Sequence, residues 1–132
     1  MVHFENDYKE GTKAQNEIFP IIEDYFGNNI KQNPNQYDKY DYTNDDAEFE
    51  VKTRKNKKTA YSTTMLTCNK VVDTDKEIVF IFNYTDEICW IQYDKELFDT
   101  FQKQMFSRAQ IAEDEKMHYY IPINLLETIK VK

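Results

Sequence analysis

Asp41, Glu50 and Lys52 are the residues of this chain whose types and spacing could do chemistry together. Glu50 and Lys52 lie two apart in residues 47–54, which alternate as a β-strand does, so both project from one face. Asp41 sits near the end of residues 37–42, where Tyr alternates with Asp or Lys, and the polar run Thr43, Asn44, Asp45, Asp46 joins the two segments as a hairpin. With Tyr42 paired to Ala47 or a near neighbour, Asp41 comes within a few residues of register with Glu48 and Glu50. Two carboxylates and an ammonium then converge. A pair of acids on rigid strands suits Mg²⁺ or Mn²⁺, hard cations that take oxygen ligands and keep places for water and phosphate. A cation there would polarise a phosphoryl oxygen and acidify a bound water, while the lysine orients that water or steadies developing charge. That is the chemistry of phosphodiester hydrolysis. The same residues are also common on exposed hairpins, and an acid-x-Lys run arises often by chance.

The elements that must hold these residues can be read from periodicity. Between residues 7 and 26, Tyr8, Gln15, Ile18, Phe19, Ile22, Tyr25 and Phe26 fall at helical spacing. Pro20 inside this stretch predicts a kink or two pieces meeting near Phe19, and Gly27, Asn28 and Asn29 give the stop. In the hairpin's second strand Glu48, Glu50, Lys52 and Arg54 share one face, with Phe49, Val51 and Thr53 on the other. Residues 61–72 are short, Thr-rich and ambiguous between helix and strand, with helix preferred. Residues 77–84 and 88–93 are β-branched and aromatic and read as a second, largely buried hairpin. Asp94 caps an expected helix to Phe106, with Leu97, Phe98, Phe101 and Met105 on one face. A charged connection at residues 110–116 leads to a short edge strand at Tyr119, Tyr120 and Ile121, ended by Pro122. Asn124 caps a last turn through Leu125, Leu126 and Ile129. The fold class expected is α/β, with a central mixed sheet flanked by helices.

At 132 residues the chain is expected to form one domain over its whole length, since halving it would leave two cores too small to be stable. Hydrophobic residues at 40%, with Tyr 10 and Phe 9, supply enough bulk to exclude disorder. No apolar run approaches the roughly 18 to 20 residues of a membrane span, and the first residues lack signal-peptide features, so a soluble, intracellular protein is expected. Cys68 and Cys89 lie in apolar stretches without zinc-site spacing and read as reduced thiols. The isolated His3 and His118 read as non-catalytic.

The net charge of −7 excludes a protein that coats nucleic acid with its whole surface. The average conceals an asymmetry. Lys52, Arg54, Lys55, Lys57 and Lys58 put +5 into one short stretch without an acid, leaving −12 on the rest. Such a ribbon can follow a phosphate chain locally or remain a solvated loop.

The run Lys39-Tyr40-Asp41-Tyr42, a polar turn, then Phe49-Glu50-Val51-Lys52-Thr53-Arg54 resembles the core of the PD-(D/E)XK nuclease superfamily. The order of elements resembles it too: a helix, a hairpin bearing Asp and then Glu-x-Lys, a helix and further strands. The outline covers nearly the whole chain and the specific part about fifteen residues. The resemblance implies a restriction-endonuclease-like core, Asp41 and Glu50 as metal ligands, Lys52 as the catalytic lysine, and Glu17 on the first helix completing the metal shell. It implies Mg²⁺ or Mn²⁺ as cofactor, nucleic acid, DNA foremost, as substrate, and a homodimer as a natural assembly. The motif departs from the family in having Tyr40 where Pro is usual. Asp38 is a rival to Asp41, but three residues away it faces the other side unless the register shifts. Arg54, Lys55, Lys57 and Lys58 are expected to touch phosphate, with Tyr61 stacking, and Lys70 to face phosphate beyond the Glu-x-Lys strand; Arg108 either joins them or complements a helix end. The Asn-, Lys-, Asp- and Tyr-rich composition is similar to that of proteins from AT-rich viral or bacterial genomes.

Two other functions fit parts of the sequence. One is a nucleic-acid-binding module with the nuclease architecture but little catalysis, acting within a larger assembly, as the small size and acidic body suggest. The other is an acidic structural or inhibitor-like protein, which leaves the Glu50-Val51-Lys52 strand to chance.

Overall fold

The computed structural model describes residues 2–27, 29–34, 39–72, 74–106 and 116–132; Asp38 and Arg108 lie outside the described residues. The chain opens with α1 (Val2–Phe26), one continuous helix with Pro20 inside it. Pro20 and Asn16, whose carbonyl loses its usual donor there, both lie on the exposed side, where water can replace the bond. Gly27, at φ 63°, ends the helix by donating its N–H to the Glu23 carbonyl at 2.8 Å, a backbone conformation that glycine adopts without a Cβ clash.

A six-stranded mixed sheet follows, in the order β1 (Lys31–Gln32), β2 (Tyr42–Thr43), β3 (Ala47–Thr53), β5 (Glu77–Asn83), β6 (Glu87–Gln92) and β9 (Glu127–Val131). Within it β3 and β5 are parallel and the other neighbours antiparallel. Between the parallel pair the chain leaves to form β4 (Thr63–Thr67). This strand pairs with β8 (Lys116–Pro122), which pairs in turn with β7 (Gln102–Phe106), making a second, three-stranded antiparallel sheet.

The alternation along β3 decides which layer each residue meets. Phe49 and Val51, opposite Val79 and Ile81, turn toward α1, where Ile18 and Ile22 complete one core with Tyr42 and Ile88. Glu48, Glu50 and Lys52, opposite Ile78, Phe80 and Phe82, turn toward the second sheet. There Leu66, Tyr119 and Ile121 pack with Phe80, Phe82 and Phe98 in the other core. β5 is buried on both faces from Ile78 to Asn83, as a central strand between two layers must be. The fold is thus mixed α/β, with α1 on one face of the main sheet and, among the described residues, the three-stranded sheet with a single helical turn at Lys95–Phe98 on the other.

Several expectations are corrected. The helix expected from Asp94 to Phe106 is a single turn, α2 (Lys95–Phe98), followed by β7. Asp94 does cap it, accepting from the N–H groups of Glu96 and Leu97, but the Thr100 hydroxyl donates to the Leu97 carbonyl at 2.6 Å and residues 102–106 pair with β8. Residues 61–72, where helix was preferred, hold β4 between short 3₁₀ turns; the β-branched threonines find a strand partner in β8. Tyr119–Ile121 lies in the middle strand of its sheet rather than at an edge, and the last turn gives way to β9 after residues 123–125. The first hairpin forms, and among the described residues its first strand is the two-residue Tyr42–Thr43. Both cysteines are free, with Cys89 buried and Cys68 half-buried. Among the described residues no helix is long and apolar enough to cross a membrane.

Phe98 carries much of the second core although α2 is only one turn long. It is fully buried, and its ring contacts Phe80, Tyr93, Phe101 and Tyr119 at centroid distances of 4.8–6.0 Å. Phe98→Ala is expected to cost about 3–5 kcal/mol of unfolding free energy, measured by urea denaturation. A cost below about 1 kcal/mol would mean that α2 does not anchor the two sheets to each other.

Candidate active site

The hairpin register brings Asp41 to Glu50. Tyr42 pairs with Phe49 and Thr43 with Glu48, two residues deeper than a Tyr42–Ala47 pairing, because Asn44 forms the turn itself. Its Oδ1 accepts from the N–H groups of Asp46 and Ala47 at 2.8 and 2.7 Å. Just before β2 the chain is pinned on both sides: the Asp41 N–H donates to the Phe49 carbonyl, and the Asn33 N–H donates to the Asp41 carbonyl, each at 2.9 Å. The Asp41 carboxylate then accepts the Val51 N–H at 2.7 Å through Oδ2. A side chain occupies the place on β3 where a longer β2 would have continued the ladder. That anchor orients the carboxylate beside Glu50.

Glu50 is only 4% exposed, and its Oε2 lies 3.2 Å from Lys52 Nζ and 3.1 Å from Lys70 Nζ. Two ammonium groups therefore converge on one buried carboxylate oxygen, the arrangement that makes a buried charge tolerable. Lys70 is held from two directions. Its Nζ also donates to the Lys39 carbonyl at 3.2 Å, and its own carbonyl accepts the Tyr40 hydroxyl at 2.6 Å. Burial, with the nearby Glu48 and Glu50 carboxylates, pushes the Tyr40 phenol up to about 12, so it remains a donor at neutral pH. Lys70, expected to face phosphate, lies in the Glu50 cluster, and Tyr40 positions it.

Asp41 has the strongest electrostatic signature. Burial, then the Glu50 carboxylate, raises it from 3.8 to about 7; the Val51 N–H and Lys52 oppose that rise, and the hydrogen bond with Glu50 adds to it. Two carboxylates share a buried site, and this favours the protonated form of Asp41. Among the described residues no group of three or more His, Cys, Asp and Glu side chains forms a ready-made metal cage. Asp41 and Glu50 fit a more modest requirement: Mg²⁺ is commonly held by one or two carboxylates, with water and substrate phosphate supplying the rest.

The remaining expected residues fall in different places. Glu17 is 64% exposed on its side chain and faces Lys13 at 3.9 Å, on a helix that packs against the opposite face of the sheet from Glu50. The structure does not bring it to Asp41. Arg54 turns inward: its guanidinium donates to the Met65 carbonyl and the Thr64 hydroxyl and lies 5.6 Å over the Phe82 ring, tying β3 to β4. Lys58 lies 3.5 Å from Glu87, and its N–H donates to Asp86. Lys55 and Lys57 are exposed, as is Tyr61. Glu48, on the same face as Glu50, is matched by Lys76 at 3.3 Å and by the Thr43 hydroxyl at 2.9 Å.

Compared with family models, curated proteins and solved structures, the chain matches none.

The raised Asp41 pKa fixes a sign for metal-free protein. Between about 4 and about 7 the folded state keeps a proton on Asp41 that the unfolded chain has lost, so this group's contribution is full below that window and is lost as pH rises through it. In EDTA, the stability of the wild type relative to Asp41→Asn is expected to fall between pH 4 and 7.5. NMR titration of Asp41 should give a midpoint near 7, moving down in Glu50→Gln once the neighbouring charge is removed. A wild-type midpoint near 4 would mean that the two carboxylates do not share a buried site.

Proposed function

We propose that the protein is a metal-dependent nuclease that hydrolyses phosphodiester bonds, with DNA as its foremost substrate. The observation that carries this reading is the convergence of Asp41, Glu50 and Lys52 on one side of β3, with Asp41 locked to the Val51 N–H and Glu50 shared by two lysines. The order of elements supports it, since a long helix precedes the Asp hairpin and the Glu-x-Lys strand. The resemblance to the PD-(D/E)XK superfamily is one of motif and outline, and the second sheet departs from it where the family places a helix.

Asp41 and Glu50 would hold Mg²⁺ or Mn²⁺, which when bound supplies Lewis-acid polarisation of the phosphoryl group and a more acidic water. The chain's own residues do the rest. Lys52, half-buried beside Glu50, places a positive charge where the attacking oxygen and the phosphoryl oxygens gather charge. Lys70 balances the Glu50 carboxylate from the other side and is available to a phosphate oxygen once that carboxylate is engaged elsewhere. Asp41, whose pKa is raised to about 7, would release its proton to solvent on taking up the cation. Lys55 and Lys57, exposed beyond the end of β3, extend the positive field along a backbone.

A second reading, a nucleic-acid-binding module with weak catalysis, is favoured by one feature: Glu17, expected to complete the metal shell, stands exposed on α1 away from Asp41 and Glu50. Cleavage of labelled single-stranded, duplex and four-way-junction DNA in Mg²⁺, Mn²⁺ or EDTA separates the two. The nuclease reading expects cutting that requires metal, falls by at least about 10²-fold in Lys52→Ala and disappears in Glu50→Gln, with both variants folded. Binding without cutting of any substrate would hand the protein to the second reading.

A further inference from the structure

A pocket of about 370 Å³ opens where β3 leaves the main sheet and β4 begins, with Arg54, Lys58, Tyr61, Thr64, Tyr84 and Tyr120 in its walls. Its full lining contains two cations and no acid. On a chain of net charge −7 that is a local reversal, although Lys58 is partly satisfied by Glu87 at 3.5 Å. Tyr61 stands at the mouth with 68% of its surface exposed, a large aromatic ring that nothing covers among the described residues.

The decisive feature is Tyr84. It is 2% exposed, and among the described residues its hydroxyl is buried without a hydrogen-bond partner. The nearby Thr64 hydroxyl tempers the rise in the Tyr84 pKa that burial causes, and it also accepts from Arg54 Nε at 3.3 Å. A buried phenol left unmatched is costly unless a ligand or water completes it. The Tyr84 hydroxyl and the Tyr61 face describe two parts of a nucleobase site, a hydrogen-bonding edge and a flat π-surface, in a wall whose cations, Arg54 and Lys58, are held by protein partners.

The pocket also has a fixed relation to Glu50. Arg54 lies two residues beyond Lys52 along β3, about 7 Å at the rise of a strand. A stacked nucleic-acid strand advances only about 3.4 Å per step, and its bases are turned toward their partners. A base that enters a recess between two sheets must have left the stack. We infer that this pocket receives the nucleobase adjoining the phosphate to be cut, and that the substrate is therefore an unpaired strand or one that presents a flipped nucleotide. The inference rests on the nuclease reading for the position of that phosphate, and on the pocket alone for the base.

The full-length protein in EDTA, titrated with a 2-aminopurine-labelled single-stranded oligonucleotide, its blunt duplex and a nucleoside 5′-monophosphate, tests it. Single strand is expected to bind at least about tenfold tighter than duplex, with quenched 2-aminopurine emission as the base stacks, and Tyr61→Ala to weaken that binding by about five- to a hundredfold. Tyr61 is exposed, so the fold is not at stake. Tyr84→Phe removes only the unmatched hydroxyl and is expected to unfold no more readily than the wild type while binding single strand several-fold more weakly. Equal affinity for duplex, or single-strand binding unchanged in both tyrosine variants, overturns the inference. Tight binding of the mononucleotide without the oligonucleotide overturns it as well and makes the pocket a site for free nucleotide. Metal-dependent cleavage with unchanged tyrosine variants would remove the pocket and leave the nuclease; quenching and tyrosine dependence without cleavage would do the reverse.

Discussion

Glu50 is a carboxylate placed in the middle of a buried layer, and the surrounding structure has to make that charge tolerable. On β3 its neighbour on the parallel strand β5 is Phe80, which is fully buried. Lys52 comes from the same strand face and Lys70 from the turn after β4, and both reach the same oxygen. The Lys70 contact needs the crossover between β3 and β5 to pass over this face, so the topology that makes the parallel pair also supplies the counter-charge. Tyr40 closes the arrangement by fixing the Lys70 backbone. Replacing such a cluster with apolar residues would often be neutral or stabilising, so stability alone does not account for its presence.

The same economy of position appears at Asp41. A carboxylate that accepts a strand N–H is normally stabilised as an anion, and the Val51 N–H acts in that direction. Burial and the adjacent Glu50 outweigh it, and the group is held near neutrality instead of far below it. Geometry and electrostatics therefore pull against each other at this residue: the hydrogen bond fixes where the oxygen atoms point, and burial with the neighbouring charge favours the protonated form. Local conflict of this kind is characteristic of sites rather than of scaffolds.

The two faces of β3 separate these tasks. The face toward α1 is packed with Phe49, Val51, Val79 and Ile81 and serves only to hold the strand in place. The face toward the second sheet carries Glu48, Glu50 and Lys52 among aromatic residues and passes into the pocket at Arg54. Arg54, which charge patterning assigned to phosphate, instead ties the layers together at Thr64 and Met65 and so shapes the pocket wall. A guanidinium over Phe82 with two oxygen acceptors is well matched to that work, because its planar fork pairs and stacks at once.

The sequence by itself determined the parts governed by local period and short range. The α1 stripe, the two hairpins, the alternation that puts Glu50 with Lys52 and away from Phe49, and the approach of Asp41 to that pair all follow from spacings of two or 3.6 residues and from a turn only a few residues long. Where a segment's state depends on a distant partner, the same reasoning failed. Residues 102–106 have a helical stripe but pair with β8, and residues 63–67 become a strand because β8 is there to receive them. Only the tertiary structure decided that Lys70 reaches Glu50 and that α1 leaves Glu17 on the other side, exposed beside Lys13. The tertiary arrangement also makes Tyr84 line a pocket with its hydroxyl unmatched among the described residues. These outcomes join residues far apart in the chain, and long-range pairing is set by the competition among whole layers for burial, which no window of neighbouring residues contains.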